Sequence, residues 1–240
     1  MAHQFPYDAD MTPTDLRLNI SEINRRIRAA ECAADRPPGA VSLLAVSKKK
    51  SAELIRWAHQ AGLTDFGENY AQEMAEKAAQ LADLGLTWHF IGPIQSNKTG
   101  LIAEFSDWVH SVDRLKIAQR LSDQRPPEKG PLKVFLQVKT SDEASKSGVL
   151  PDALKTLIDA VETLPNLQLK GLMTIPAPSA EPAAQRVPFR HLRTIQQSLI
   201  GRNPELAILS MGMSSDLEAA IAEGSNLVRV GTDIFGARYN

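Results

Sequence analysis

The stretch Val41-Ser42-Leu43-Leu44-Ala45-Val46-Ser47-Lys48 decides how this chain is read. Val41 to Val46 is a short apolar run entered from Arg36-Pro37-Pro38-Gly39, and it predicts a strand buried on both faces. An open doubly wound sheet follows its first strand with a glycine-rich fingerprint, whereas Ser47-Lys48 stands in that place here. Upstream, Thr12-Pro13 predicts a helix start, and Ile20, Ile23, Ile27 and Ala30 recur at helical spacing. Downstream the chain alternates. Helices are expected at 52–60, 70–84, 98–104, 114–122, 152–163, 189–200 and 216–223, and strands at 64–67, 88–92, 108–112, 133–138, 167–173, 206–210 and 227–230. Eight strands alternating with helices is the count that closes a parallel (β/α)8 TIM-type barrel, here with one extra N-terminal helix. Residues 1–11 read as an irregular segment and 12–240 as a single domain.

The 240 residues carry 27 Lys and Arg against 28 Asp and Glu, so the net charge of -1 supplies no global field for a nucleic acid or an anionic membrane. Cys32 is the single cysteine, which excludes an intrachain disulfide and a multi-cysteine zinc site and points to a reducing, cytoplasmic setting. No uncharged apolar run approaches the roughly 18 residues of a membrane span.

In a barrel, functional groups collect after the C-terminal ends of the strands. Lys48 shares the parity of Val46 and Leu44 and can point inward, while Lys49 points away. A partly desolvated lysine there suits Schiff-base chemistry; a solvated basic loop is the alternative. Asn69 and Ser96 suit ligand contact or ordinary helix capping. His89, flanked by Trp88 and Phe90, suits a satisfied core residue, with no metal-ligand spacing around it. Ser210 to Glu218 joins a strand end, Gly212 and a Ser-x-x-Glu capping box to a helix start, and Val228-Arg229-Val230-Gly231-Thr232 ends the following strand. An amine, an anion cradle and an inward-capable arginine are what a pyridoxal phosphate site requires, and a Schiff-base aldolase needs nearly the same parts.

Val46-Ser47-Lys48, Gly67-Glu68-Asn69-Tyr70, Trp88 to Gly92 with Gln95-Ser96-Asn97-Lys98, Ser145-Lys146-Ser147-Gly148, Gly171-Leu172-Met173 and Ser210 to Gly236 together resemble the pyridoxal phosphate homeostasis protein family. The resemblance runs from Leu43 to Arg238 and implies a fold similar to the barrel domain of alanine racemase. It implies pyridoxal 5'-phosphate (PLP) as cofactor, bound through a Schiff base on Lys48. It also implies Asn69, Met213, Ser214, Gly231 and Thr232 around that cofactor, and Arg229 near the pyridine nitrogen. Lys49 stands where the family has threonine and Ser51 where it has proline, and Thr99-Gly100 follows Lys98 in place of more basic residues. The implied role is non-catalytic storage or delivery in vitamin B6 homeostasis by a cytoplasmic monomer, with apo PLP enzymes as recipients. The alternative is a PLP-dependent enzyme acting on amino acids, such as a weak racemase, with Tyr70 or Tyr239 as its acid/base group.

Overall fold

The computed structural model describes residues 11–141 and 147–236. The N-terminal segment, Ser145-Lys146 and Tyr239 lie outside the described residues. The elements run α1 (Pro13–Ala33), β1 (Ser42–Val46), α2 (Ala52–Gln60), β2 (Asp65–Glu68), α3 (Ala71–Gln80), β3 (Thr87–Phe90), α4 (Thr99–Phe105), β4 (Trp108–Val112) and α5 (Leu115–Asp123). They continue with β5 (Leu132–Gln137), α6 (Pro151–Val161), β6 (Leu167–Met173), α7 (Pro182–Ile200), β7 (Ile208–Met213), α8 (Leu217–Ala222), β8 (Leu227–Val230) and α9 (Thr232–Phe235). The eight strands close into one barrel in sequence order, β8 pairing in parallel with β1 through Leu44↔Arg229. The expected (β/α)8 fold is the observed one.

Alternation along the strands builds two cores. Ala45, Phe66, Trp88, Phe90 and Val109 point outward into the layer beneath the helices. Leu44, Ile91, Leu227 and Val46 pack inside the barrel. α1 is capped as expected: the Thr12 side chain accepts from the Asp15 amide, Asp15 reaches back to the Thr12 amide, and Pro13 opens the helix. Its buried face, Leu16, Ile20, Ile23 and Ile27, lies across α8 and α9.

Two expectations are corrected here. α7 begins at Pro182, not at residue 189, and runs through Pro188. Proline lacks the N–H that a helix interior uses, but Arg186, Arg190 and Arg193 of this helix converge on the fully buried Glu223 carboxylate and hold the first turns in place. β7 extends to Met213, beyond the expected end at residue 210, and the four-residue α9 was not expected at all.

Candidate functional site

After β1 the chain turns sharply. The Lys50 amide donates to the Ser47 carbonyl at 3.0 Å, and Lys49 takes φ 59°, in the left-handed region. The Lys49 amide donates to the Glu73 carboxylate, anchoring the turn on α3. Lys48 is left half-buried, Lys49 exposed and Lys50 buried. The Lys50 ammonium donates to the Phe235 carbonyl at 2.8 Å, closing the end of α9. Lys48 lines a cleft with Val46, Lys50, Gly231, Thr232 and Gly236, so the barrel closure brings the lysine after the first strand to the loop after the last.

Beneath this turn lies a buried ionic cluster. The Lys77 ammonium donates to the Ser47 carbonyl at 2.8 Å and reaches both Glu68 and Glu73 at 2.7 Å. Ser47 Oγ donates to the same Glu68 oxygen at 2.7 Å, while Glu68 Oε2 has no hydrogen-bond partner among the described residues. One ammonium shared by two carboxylates cannot offset burial of both. Burial, with Glu73 adding to it against Lys77, pushes the Glu68 carboxyl up to about 7 from its ordinary 4.5. A raised folded pKa means that the folded protein takes up a proton. Its contribution to stability is therefore complete below about 4.5 and is lost as pH rises through about 7. Glu68→Gln is expected to gain stability relative to the parent on going from about pH 5 to about pH 8, by on the order of 2 kcal/mol. Thermal unfolding of both proteins across that range checks it, and parallel curves would refute it.

Neither Asn69 nor Ser96 caps a helix: α3 and α4 have Tyr70 and Lys98 at their N-caps, without side-chain capping bonds. Asn69 Oδ1 is instead buried with no hydrogen-bond partner among the described residues, which leaves it open to a donor from a ligand. It borders a cavity of about 310 Å³ with Tyr70, Phe90, Pro93, Gln95 and Lys98. Gly92 fixes its position, since a Cβ there would sit 2.1 Å from the Asn69 carbonyl oxygen.

The expected Ser-x-x-Glu capping box is absent. Asp216 is the N-cap of α8 and makes no capping bond into the helix; its carboxylate turns back to accept the Met213 amide at 2.6 Å. Burial raises the Asp216 carboxyl, against the Met213 bond and the Arg229 charge. Glu218 faces Arg26 of α1 instead. Arg26 donates to both Glu218 oxygens at 2.8 and 3.0 Å, to Asp233 at 2.7 Å and to the Ser214 carbonyl at 2.9 Å. One guanidinium thus ties together the loops that follow β7 and β8, both of which leave Ser214 and Thr232 accessible. Gly231 has a reason of its own: a Cβ there would lie 3.1 Å from the Val46 carbonyl oxygen, so glycine lets the end of β8 sit against β1.

Arg229 points into the barrel and is 3% exposed. It donates to Ser210 Oγ at 2.8 Å and to the Thr174 carbonyl at 2.9 Å. Burial pulls its pKa down to about 10, with Asp216 opposing, so it stays a cation and a donor at neutral pH. Sequence reading missed Arg26, Ser210, Thr174 and His110 as parts of this arrangement. Ser210 alone carried a usable signal, its place two residues after Ile208 on an inward face.

The alanine racemase N-terminal domain family matches residues 18–239. The chain is 61% identical to the pyridoxal phosphate homeostasis protein of Pseudomonas aeruginosa over 92% of this chain and 94% of that one. It is 49% identical to the Escherichia coli protein of that name over 93% of this chain and 97% of the other. Among solved structures, PipY of Synechococcus elongatus with PLP bound superposes with a TM-score of 0.77 at 40% identity, over 87% of this chain and 98% of that one. Alanine racemase from Corynebacterium glutamicum shares the fold, with a TM-score of 0.70 at 15% identity over 94% of this chain and 62% of that one. With near-complete coverage of both partners, and with a closed barrel that brings Lys48 beside Gly231 and Thr232, this chain belongs to the pyridoxal phosphate homeostasis protein family.

Proposed function

We propose that this protein holds PLP on Lys48 at the C-terminal mouth of the barrel and stores or delivers it without transforming substrates. In this reading Ser214, Gly231 and Thr232 take the phosphate, Met213 and Asn69 border the ring, and Arg229 donates to the pyridine nitrogen. Two features support the fit: Asn69 Oδ1 is buried and has no donor among the described residues, and Lys48 shares its cleft with Gly231 and Thr232. When bound, PLP supplies an aldehyde that condenses with amines and a ring that accepts electrons.

The observation that carries the non-catalytic part is Arg229. A carboxylate against the pyridine nitrogen keeps it protonated and the ring electron-poor; a buried guanidinium has no acceptor to offer and leaves that nitrogen unprotonated. A positioned acid or base adds about 10²–10⁴-fold in rate, and Tyr70, the tyrosine among the described residues, is 51% exposed and makes no side-chain capping bond. Exposed Cys32 suits a reducing compartment, and no helix among the described residues is long and apolar enough to cross a membrane. Apo PLP enzymes are the recipients this reading requires.

The test is hydrogen exchange at Cα. PLP-loaded protein is incubated in heavy water with each enantiomer of alanine, serine and other common amino acids. Deuterium incorporation is expected to stay far below the roughly 1 s⁻¹ of ordinary enzymes. Turnover in that range on any of them supports the weak-racemase alternative. Reactivation of an apo PLP enzyme in the presence of a scavenger for free cofactor separates delivery from storage.

A further inference from the structure

Inside the barrel, five side chains from five strands form one unbroken hydrogen-bonded line. Arg229 Nη1 meets Ser210 Oγ at 2.8 Å, Ser210 Oγ meets His110 Nδ1 at 2.9 Å, His110 Nε2 meets His89 Nδ1 at 2.9 Å, and His89 Nε2 meets Asp65 Oδ1 at 3.1 Å. Asp65 opens β2, so the line leads from Arg229 away from the mouth, to a cavity of about 260 Å³ lined by Asp65, His89, Trp108, Phe135, Leu44 and Leu227. Its side chain there is 42% exposed.

The chemistry of the two ends sets the direction of every bond between them. A guanidinium only donates, so the Ser210 oxygen accepts from Arg229; with an acceptor-only carboxylate at the far end and two neutral rings between, Ser210 donates its own hydrogen to His110 Nδ1. That nitrogen is then an acceptor, and a neutral His110 carries its hydrogen on Nε2. His89 Nδ1 accepts it, so His89 also carries its hydrogen on Nε2 and donates to Asp65. A carboxylate only accepts, and the line ends with every donor matched. Both rings must be neutral for this to hold, and burial lowers both. His110 lies well below its ordinary 6.5 through burial, then the neighbouring His89 and Arg229. His89 is lowered by burial and by Lys133, against the hydrogen bond and charge of Asp65 and the charge of Asp107. The His89 bond holds the Asp65 carboxyl below the usual carboxylate range, with Thr64 and Lys133 acting in the same sense and burial opposing. The His89 ring lies parallel to Trp108, and the His110 ring packs against Phe135.

We propose that Asp65, His89, His110 and Ser210 are positioning residues that act as a one-way relay on Arg229, so that the charge state at the N-terminal end of the barrel sets how firmly Arg229 is held and how strongly it donates into the site. No carboxylate among the described residues pairs directly with Arg229. Aligned hydrogen bonds polarise one another in a low-dielectric interior, and this line connects the buried cation to a carboxylate that meets water at its far end. The proposal rests on the reading that Arg229 faces the pyridine nitrogen of PLP.

Two readouts test it. In nitrogen-15 imidazole spectra of protein free of PLP, His89 and His110 are expected as neutral Nε2–H tautomers that persist as the pH is taken below the ordinary 6.5 of an imidazole. A hydrogen on Nδ1 of either ring overturns the relay. The second readout is the visible absorbance and affinity of bound PLP. Ser210→Ala removes a hydrogen bond to a charged group and is expected to weaken binding about tenfold and release the His110 tautomer. Ser210→Thr, which keeps the hydroxyl, is expected to restore both. Asp65→Asn, a change at the far end of the line, is expected to shift the absorbance and weaken binding about threefold while the Nε2–H forms persist on the amide oxygen. If Arg229→Gln alters the absorbance but Ser210→Ala and Asp65→Asn do not, the relay is wrong and the placement of Arg229 stands. If Arg229→Gln itself changes nothing, the placement fails and takes the relay's role in binding with it. Thermal unfolding of each variant confirms that the folded state is being compared.

Discussion

Lys48→Ala protein is expected to purify colourless where the parent is yellow, and to lose all visible absorbance on titration with PLP. The expectation comes from what the neighbouring amines are doing. Lys50 is buried and donates to the Phe235 carbonyl, so withdrawing it would open the end of α9. Lys77 is committed to Ser47, Glu68 and Glu73. Lys49 is turned outward by its left-handed backbone. Lys48 lines the cleft with Gly231 and Thr232, and with these three neighbours held as they are its loss has no substitute among the described residues. Borohydride reduction of loaded parent protein, followed by peptide mapping, should place the label on Lys48. A label on Lys50 or Lys146, or a yellow Lys48→Ala protein, would remove the lysine from the site. Weak, colourless binding through the phosphate contacts is expected to survive.

Gly92→Ala should be the most damaging single methyl in the chain's site. The added Cβ would lie 2.1 Å from the Asn69 carbonyl oxygen and 2.7 Å from its carbonyl carbon and Cα. These are backbone atoms at the end of β2, and no side chain can swing aside to relieve the overlap. Forcing atoms into packed interior typically costs 1–3 kcal/mol and sometimes more, which for a chain of this size lowers Tm by roughly 5–10 °C. Because the atoms that must move belong to Asn69, retention of PLP by the folded protein should fall as well. Gly171→Ala is the control. Its Cβ would fall 1.8 Å from the Ile208 carbonyl oxygen, between β6 and β7, where relief moves no proposed ligand of the cofactor directly. The two variants should lose comparable stability, and Gly92→Ala should show the larger loss of affinity. A Gly92→Ala protein with the parent's Tm and affinity would show that Asn69 is not held by this contact.

The barrel was legible because its strands are short, apolar and regularly spaced, and because Lys48, Arg229 and the residues after β7 and β8 fall at strand ends, where parity and position are readable one strand at a time. What stayed hidden involves several strands at once. Parity places His89 and Ser210 inward, but which inward residues touch depends on register, and the ladders slip between β4 and β5, β5 and β6, and β7 and β8. His110 and Ser210 are a hundred positions apart, and nothing local couples them. The first turns of α7 were unreadable because Pro188 is a local argument against a helix, and the compensation, Glu223, lies beyond another strand. The capping box at Ser215 fitted its pattern and failed because Asp216 found a nearer donor in Met213 and Glu218 a better one in Arg26. α9 is too short to show any period.

The tie made by Arg26 fixes an order of events as well as a shape. α1 is among the first segments to leave the ribosome, yet the groups it grips, Ser214, Glu218 and Asp233, are among the last. β1, which delivers Lys48, likewise finds one of its two neighbours only when β8 has been made. Contacts between such distant positions form late and slowly. A nascent chain stopped anywhere before residue 227 therefore holds Lys48 on an unclosed edge, without Gly231 and Thr232 beside it. On the proposed reading, firm retention of the cofactor then waits until β8 has closed the barrel against β1.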